Sequence, residues 1–360
     1  MRILCLGAGL QGLEIAYLAS RLGWDLDLAD RRQNAPASGL YPVRLTDLAS
    51  LDDSAKEALC SGYDLVVPAL EDLEVLASFA GAAADGIIPP LAFDLEAYRV
   101  TCSKKKSKLL FRELGIPAAR DLDDPEAGDG PYIAKPDGLS GSRGVRFFPS
   151  RAEALAAFPD RASREKTVVE EYVSGPVYSV EVTGGPGAPP SGWQTTALGM
   201  DEAYDCCKVS APSGLDAQTE TSLARLAEKM AGALSLRGLM DLEAIWHQGA
   251  MLAMEIDARF PSQTPTAVFW SSGVNLLYEL ARRFLDESRL GPAPARPAEP
   301  RKVVFENVLL EGGRTRSVGE HVIAGLGPVR VVENFQDADE AWIFGDPRGG
   351  RFLAVKITVL

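Results

Sequence analysis

Histidine is almost missing from this chain: among 360 residues only His247 and His321 carry an imidazole. That scarcity argues against a multi-histidine metal site and against a Ser-His-Asp triad as the centre of the chemistry. Cysteine is sparse too. Cys5, Cys60, Cys102, Cys206 and Cys207 are odd in number and include no C-x-x-C pair, so neither a disulfide framework nor a cysteine zinc site is expected, and reducing surroundings suit them. No apolar run reaches the roughly 18 residues of a membrane span, and the N-terminus lacks the basic-then-apolar layout of a secretory signal. The expected location is the cytoplasm. Positive charge is the scarcer sign, 37 Lys and Arg against 50 Asp and Glu, and the formal charge of −13 disfavours nucleic-acid or anionic-membrane partners. Lysine, arginine and carboxylates are left to do whatever chemistry there is.

What the chain does have starts at the N-terminus. An apolar strand from Ile3 to Leu6 runs into "GAGLQG", where Gly7, Gly9 and Gly12 have Gly-x-Gly-x-x-Gly spacing; a helical stretch, a second strand and Asp30 follow. Such a turn brings backbone N–H groups and a helix N-terminus close to a pyrophosphate, with the acidic residue placed for ribose hydroxyls. Two readings stay open: a nicotinamide or flavin site, or the tight first turn that any doubly wound sheet needs.

The length suits two or three domains. Short strands ("RILCLG", "WDLDLAD", "DLVVPAL") alternating with helical stretches predict a Rossmann-like parallel α/β domain over 1–85. A small central α+β domain is expected over 86–170, with "CSKKKSK" on a helix that ends near Gly115 and Pro117, the strand "PYIAKP" and a Gly/Ser loop. A C-terminal α+β domain over 171–360 follows, with strands at "VYSVEVTG", "LMDLEAIW" and "MLAMEIDARF". It has a helix around Leu223 to Leu234, an exposed turn at "GGPGAPPSG", one helix in "GVNLLYELARRFL" and a Pro-rich linker at "GPAPARPAEP".

Three segments carry charge in patterns with chemical meaning. In "DLEAIWHQGAMLAMEIDARF", period-two alternation puts Asp241 and Glu243 on one face of a strand, and Glu255, Asp257 and Arg259 on one face of the next. A short turn between them can bring Glu243 near Glu255. Carboxylates packed this way repel unless a cation sits among them, and hard oxygen ligands at this density suit Mg²⁺, with a nucleoside triphosphate supplying the other oxygens. A solvated sheet face is the plainer alternative. In "YIAKPDGLSGSRGVRFF", Lys135 at a strand end precedes Gly138, Ser140, Gly141, Ser142 and Gly144, which offers an ammonium and backbone donors to phosphate, or makes a simple hairpin turn. The lysine precedes the glycines, so this is not a P-loop. In "VVEEYVSG" a strand leads into Glu170 and Glu171 and can present backbone groups to an adenine edge. The basic run "CSKKKSK", taken alone, is a solvated helix end.

In this order, with a basic helix, a lysine and Gly/Ser loop, an acidic hinge and an E…E-x-D-x-R hairpin, the chain resembles the ATP-grasp ligases over almost its whole length. The resemblance implies that fold, with ATP and Mg²⁺ as cofactors. It implies Lys104 and Lys135 on the ATP phosphates, a lid from Gly138 to Gly144 that includes Ser140, Gly141 and Ser142, and an adenine hinge of Glu170, Glu171, Tyr172 and Val173. Glu243, Glu255 and Asp257 become the metal ligands, and Arg259 and Lys135 the catalytic residues. Val177 departs from the acidic residue that many members carry after the hinge, where the ribose is held.

Longer strings are similar to the ligases of pyrrolysine biosynthesis, which join 3-methyl-D-ornithine to L-lysine. They are "LQG", "AFDLEAYR", "KKKSK", "YDC", "GLMDLEAI", "EIDARFPSQTPT" and "SSGVNL". That likeness implies an ADP-forming C–N ligase acting through an acyl phosphate. L-Lysine is then expected at the glycine turn, on Leu10, Gln11 and Glu71. The ornithine-type substrate is expected between the hairpin and the C-terminal domain, on Ser179, Val180, Glu181, Tyr204, Asp205, Asp241, Arg259, Ser262 and Thr264. Glu181 is also a candidate acceptor for the proton of the lysine amine. The alternatives are another ATP-grasp carboxylate–amine ligase and an NAD(P)-dependent oxidoreductase. The partners implied are small amino acids, with no nucleic acid and no membrane, and a homodimer is among the assemblies allowed.

Overall fold

In the computed structural model, which describes residues 1–139, 141–186, 188–346, 348 and 350–360, the alternating N-terminal segments close as a 4-stranded parallel sheet of order β3-β2-β1-β4. The strands are β1 (Arg2–Leu6), β2 (Asp25–Asp30), β3 (Val43–Leu45) and β4 (Leu65–Pro68), and the helices α1 (Leu10–Leu22), α2 (Asp53–Cys60) and α3 (Leu73–Ala84). β1 and β4 are apolar and buried almost throughout, as strands covered on both faces must be.

Packing compels the glycine turn between β1 and α1. Gly7 sits at φ +110, and a Cβ there would stand 2.4 Å from the Ala69 carbonyl oxygen; a Cβ on Gly12 would stand 2.4 Å from the Gly7 carbonyl oxygen. Asp30 spends its carboxylate on the turn itself, accepting from Ala8 N and Arg32 N at 2.8 Å each. Two of the three glycines and the acidic residue are thus accounted for without a dinucleotide.

α4 (Leu95–Thr101) and α5 (Lys104–Glu113) follow, each opened by a side-chain cap: Asp94 accepts from Ala97 N, and Ser103 from Lys106 N. The sequence groups these helices with the central unit. Their buried residues Ala97, Tyr98 and Phe111 instead share a core with Val180, Met240 and Ile256 of the large sheet described below. The central sheet is 3-stranded and antiparallel, of order β6-β5-β7, made of β5 (Tyr132–Pro136), β6 (Arg146–Phe148) and β7 (Thr167–Glu171) with α6 (Arg151–Ala157). It has its own core of Leu122, Tyr132, Phe148, Phe158 and Val169.

Among the described residues the third sheet has 11 strands, all paired antiparallel, along the path β13-β12-β8-β10-β11-β14-β18-β17-β16 with β9 and β15 on its margins. These are β8 (Val177–Gly185), β9 (Ala188–Gly192), β10 (Thr196–Met200), β11 (Cys206–Ala211), β12 (Gly238–His247), β13 (Ala250–Asp257), β14 (Val303–Glu311), β15 (Arg314–Ser317), β16 (Val329–Phe335), β17 (Ala338–Phe344) and β18 (Arg351–Val359). The helices of this part are α7 (Ala217–Ala233), α8 (Thr264–Ser272), α9 (Leu276–Ala281), α10 (Glu287–Leu290) and α11 (Glu320–Ile323).

Three local features differ from or sharpen the sequence reading. The β12–β13 hairpin turns through Gln248 at φ +47 and Gly249 at φ +86, the left-handed pair that matches strand twist in a two-residue turn. The stretch expected as an exposed turn, "GGPGAPPSG", carries the edge strand β9, where proline is tolerated because one side of the strand needs no ladder partner. Helix α8 is not foreseen in the sequence. Its Pro265 lies in the first turn, where a missing N–H costs nothing, and it packs with α9 on α1, so Ala267, Val268 and Leu276 share one core with Leu13, Tyr17 and Leu18.

Candidate active site

The ends of the central sheet, the Gly/Ser loop and the β12–β13 hairpin converge on a cavity of about 430 Å³. Its lining brings together Lys104, Lys135, Gly141, Ser142, Glu170, Glu171, Tyr172 and Val173 with Ser179, Tyr204, Asp205, Asp241, Glu243, Glu255, Asp257, Arg259, Ser262 and Thr264. Ser140, also expected in the lid, lies outside the described residues. Leu10, Gln11, Glu71, Val180 and Glu181 are not on this lining.

The basic run is no solvated helix end. Lys104 Nζ lies 2.6 Å from Glu255 Oε1 and 2.7 Å from the Leu139 carbonyl oxygen. Lys105 Nζ donates to the Arg164 carbonyl at 2.5 Å, tying α5 to the turn before β7. Lys108 pairs with Glu170 and, at 2.6 Å, with Asp121. Glu170 meanwhile holds Lys135 at 2.8 Å. Burial alone would raise the Glu170 carboxyl, but Lys135 and Lys108 outweigh it and bring it down to about 2. Burial likewise works against the Lys135 charge, and Glu170 more than restores it. Lys108 is a residue the sequence reading passed over; its spacing from Lys104, one turn on the same helix face, was the available signal.

The acidic half of the site has the opposite problem. In the hairpin Glu243 stands directly opposite Glu255, and Asp241 opposite Asp257, with a bulge just after Glu243. On its other edge β12 pairs with β8, which sets Glu181 opposite Asp241 and Ser179 opposite Glu243. Burial, reinforced by Glu255, pushes Glu243 up to about 7. Burial and the neighbouring Asp257 carry Asp241 well above the carboxylate range, and Asp257, helped by Arg259, rises only to about 6. Glu181 is fully buried and pushed up to about 7 by burial. Neither of its carboxylate oxygens has a hydrogen-bond donor among the described residues, although the Thr264 and Ser179 hydroxyls are its polar neighbours, and the Thr264 hydroxyl is itself unsatisfied. Val180 alternates to the opposite face and belongs to the core, so its side chain does not reach the cavity.

No three His, Cys, Asp or Glu side chains among the described residues converge to hold a metal ion by themselves. Adjacent carboxylates at Glu243 and Glu255 nonetheless fit Mg²⁺, which usually takes one or two protein carboxylates and completes its shell with phosphate oxygens and water.

Arg259 joins this site to the N-terminal domain. Its Nε lies 2.7 Å from Asp257 Oδ2, its Nη2 lies 3.1 Å from Glu71 Oε1, and Glu71 in turn accepts from Gln11 Nε2 at 3.2 Å. Burial opposes the guanidinium charge, but Asp257, Glu71 and Asp241 together keep its pKa above the ordinary value. Gln11 and Glu71 therefore meet as expected beside the glycine turn. Leu10 does not join them: its side chain is buried in the core, and what it can offer a ligand is its backbone at the first turn of α1.

At the far end Tyr204, left-handed at φ +61 and 39% exposed, meets Tyr172 edge to face at 5.8 Å, and its carbonyl accepts from the lid hydroxyl Ser142 at 2.6 Å. Asp205 is already engaged, accepting from His321 N at 2.7 Å with His321 Nδ1 at 2.5 Å. Gly319 makes this contact possible, since a Cβ there would stand 2.5 Å from Asp205 Oδ2. Ser262 donates to Glu320 Oε1 at 2.8 Å, and Gln263 Nε2 to Glu320 Oε2 at 2.7 Å. Glu320 lines the cavity and was not visible as a site residue, because "SVGEH" lies far along the chain and carries no motif.

No family model matches the chain. Over 331 residues it is 35% identical to the 3-methyl-D-ornithine–L-lysine ligase of Methanosarcina acetivorans, which covers 90% of this chain and 84% of that protein. The ligase of the same name from Methanosarcina mazei is 34% identical over 330 residues, covering 90% and 82%. The biotin carboxylase of Campylobacter jejuni, solved as a β-γ-ATP complex, superposes with a TM-score of 0.69 at 15% identity, covering 100% of this chain and 87% of that one. The architecture is the ATP-grasp fold.

Proposed function

The chain belongs to the family of the 3-methyl-D-ornithine–L-lysine ligases, and on that premise we propose how its residues divide the work of an ATP- and Mg²⁺-dependent carboxylate–amine ligase. The reaction forms an amide between the carboxylate of 3-methyl-D-ornithine, or D-ornithine, and the ε-amine of L-lysine, and it is ADP-forming.

One observation carries the reading of the site: the cavity is bordered by a surplus of carboxylates, Asp241, Glu243, Glu255 and Asp257, of which Asp241 and Glu243 are held above their ordinary range, and Glu181 lies fully buried opposite Asp241 on the neighbouring strand. Such an array is costly alone and is completed by cations. Ammonium-bearing substrates and Mg²⁺ are the cations that this chemistry supplies. Glu243 and Glu255, with Asp257 behind them, would hold Mg²⁺, which offsets charge on the phosphates when bound. Lys104 and Lys135 bind phosphate oxygens under the Gly/Ser lid, each exchanging its present carboxylate partner for the nucleotide. Tyr172 and Val173 border the adenine.

Asp241 and Glu181 receive the amines of the ornithine substrate, which leaves its carboxylate toward Arg259, Ser262 and Thr264. Gln11 and Glu71 hold lysine, with the carboxylate of Glu71 for its ammonium and the N–H groups of the glycine turn for its carboxylate. A carboxylate oxygen of the ornithine substrate attacks the γ-phosphorus while the bond from that phosphorus to ADP breaks. The ε-amine of lysine then attacks the acyl carbon, the carbon–oxygen bond to phosphate breaks, and the proton released from the amine passes to a carboxylate of this cluster. Arg259, between Asp257 and Glu71, sits where both amino acids must meet.

No described helix is long and apolar enough to cross a membrane. Five free cysteines suit a reducing compartment, and we place the enzyme in the cytoplasm. The test of the function is to mix the protein with ATP, Mg²⁺, D-ornithine or its 3-methyl form, and L-lysine, and to analyse the products by mass spectrometry. ADP and the ε-linked dipeptide are expected, each requiring both amino acids. Product formed from a different pair, or nicotinamide turnover without ADP, would overturn the assignment.

A further inference from the structure

Helix α8 begins without a cap of its own. Its N-cap residue Gln263 has φ +71, a left-handed conformation unusual outside glycine, and makes no side-chain cap hydrogen bond. The missing acceptor comes from 249 residues earlier in the chain. Glu14 on α1, fully enclosed, accepts from Gln263 N at 3.1 Å through Oε1, and from Thr266 N at 2.9 Å and Thr266 Oγ1 at 2.5 Å through Oε2. One turn back on the same helix is Gln11, hydrogen-bonded to Glu71. The 263–266 segment that Glu14 holds contains Thr264 and directly follows Ser262. Beside the Arg259–Glu71 pair and the α1–α8 packing, the Glu14 carboxyl thus ties the start of α8, next to the place assigned to the ornithine carboxylate, directly to the helix that carries the place assigned to lysine.

The geometry points to Glu14 as a positioning residue that registers the two amino-acid substrates against each other, so that the acyl group made at one is presented to the amine held at the other. This rests on the substrate placement proposed above. The enzyme needs such a device because the two half-sites come from segments far apart in the chain, while an acyl phosphate left waiting is open to water. Displacement by about 1 Å is enough to cost on the order of 100-fold in a two-substrate step. In Glu14→Gln the carboxamide offers one acceptor oxygen and turns its NH₂ toward an N–H donor of the 263–266 turn, which must open.

The experiment measures ADP and dipeptide in the same reaction, together with KM for each amino acid and for ATP. For wild type, one ADP per dipeptide is expected. For Glu14→Gln, dipeptide formation should fall on the order of tenfold or more, ADP release should fall less, and the ratio of ADP to dipeptide should rise well above one with the KM for ATP unchanged. Tyr17→Phe is the control. It removes another α1–α8 hydrogen bond, the 2.8 Å contact from Trp270 Nε1, away from both half-sites, and should lower thermal stability while leaving the ratio at one. Should Glu14→Gln not fold, Thr266→Val removes a single donor to the same carboxylate and should raise the ratio in the same direction. A ratio of one in Glu14→Gln, or in Thr266→Val where that variant stands in, refutes the positioning role. If Gln11→Ala also leaves the KM for lysine unchanged, the substrate placement itself has failed.

Discussion

Glu181→Gln should make the ligand-free protein less burdened and the working enzyme worse. The wild-type carboxyl is raised by burial from 4.5 to about 7, a rise that the neighbouring Thr264 and Ser179 hydroxyls only partly offset. At about 1.4 kcal/mol per unit this shift amounts to about 3 kcal/mol. The sign follows from the direction. A carboxyl raised in the folded state costs nothing below its unfolded pKa, and its full penalty is present above its folded pKa. Between about pH 4.5 and pH 7, wild type should therefore lose about 3 kcal/mol from this group that the glutamine variant does not lose. Glu243 and Asp257 titrate in both proteins, and Asp241, which Glu181 helps to raise, is relieved in the same direction by the variant, so the informative quantity is the difference in stability between variant and wild type, measured by chemical denaturation across this range without ligand. Binding has the opposite sign: an ammonium that loses its buried carboxylate partner costs about 2 kcal/mol or more, and the KM for D-ornithine should rise about 30-fold or more. A stability difference that is flat with pH would show that Glu181 carries no such burden. An unchanged KM for ornithine would show that it holds no amine.

Lys135→Ala should cut ATP use about tenfold or more, as expected for loss of a charge-assisted contact, with the fold retained because Glu170 keeps Lys108; unchanged ATP kinetics would remove Lys135 from the phosphate site. Glu255→Gln removes one anionic oxygen from beside Glu243, and the Mg²⁺ activation curve should shift to higher concentration with partial recovery of rate; full activity at ordinary Mg²⁺ would leave the hairpin a charged sheet face. Gln11→Ala should raise the KM for lysine and leave that for ATP alone, whereas Glu71→Ala should also lower kcat because Arg259 loses its 3.1 Å partner. A variant of either residue impaired only for ATP would mean that the glycine turn holds a nucleotide.

Much of this site could be read from local pattern. The alternation of Asp241, Glu243, Glu255 and Asp257 required only a two-residue turn to bring carboxylates face to face, and Gln248 and Gly249 provide that turn. Lys135 ahead of a glycine run and the strand into Glu170 are likewise short-range signals. The parts that were not legible depend on contacts between distant segments. Whether "KKKSK" was solvated depended on where Glu255, Glu170 and Asp121 came to rest, and none of them is near it in sequence. Helix α8 escaped notice because Pro265, a β-branched start and a cap supplied by Glu14 leave no local helix signature. Val180 and Leu10 were drawn into the site by their neighbours, and alternation along one strand and burial of one helix start returned them to the core.

The central claim is that the carboxylate of the ornithine substrate is activated as an acyl phosphate and captured by the ε-amine of lysine. The two histidines contact the Ser174 backbone carbonyl and the Asp205 carboxylate rather than a serine hydroxyl or a cysteine thiol, and the proposed route accordingly has the substrate carboxylate take the phosphoryl group itself. Both oxygens of that carboxylate can be labelled with ¹⁸O and the enzyme run with ATP, Mg²⁺ and L-lysine. One label should appear in inorganic phosphate for each amide formed, with the other retained in the dipeptide and the nucleotide product unlabelled ADP. Label in AMP, or inorganic phosphate free of it, would contradict the account.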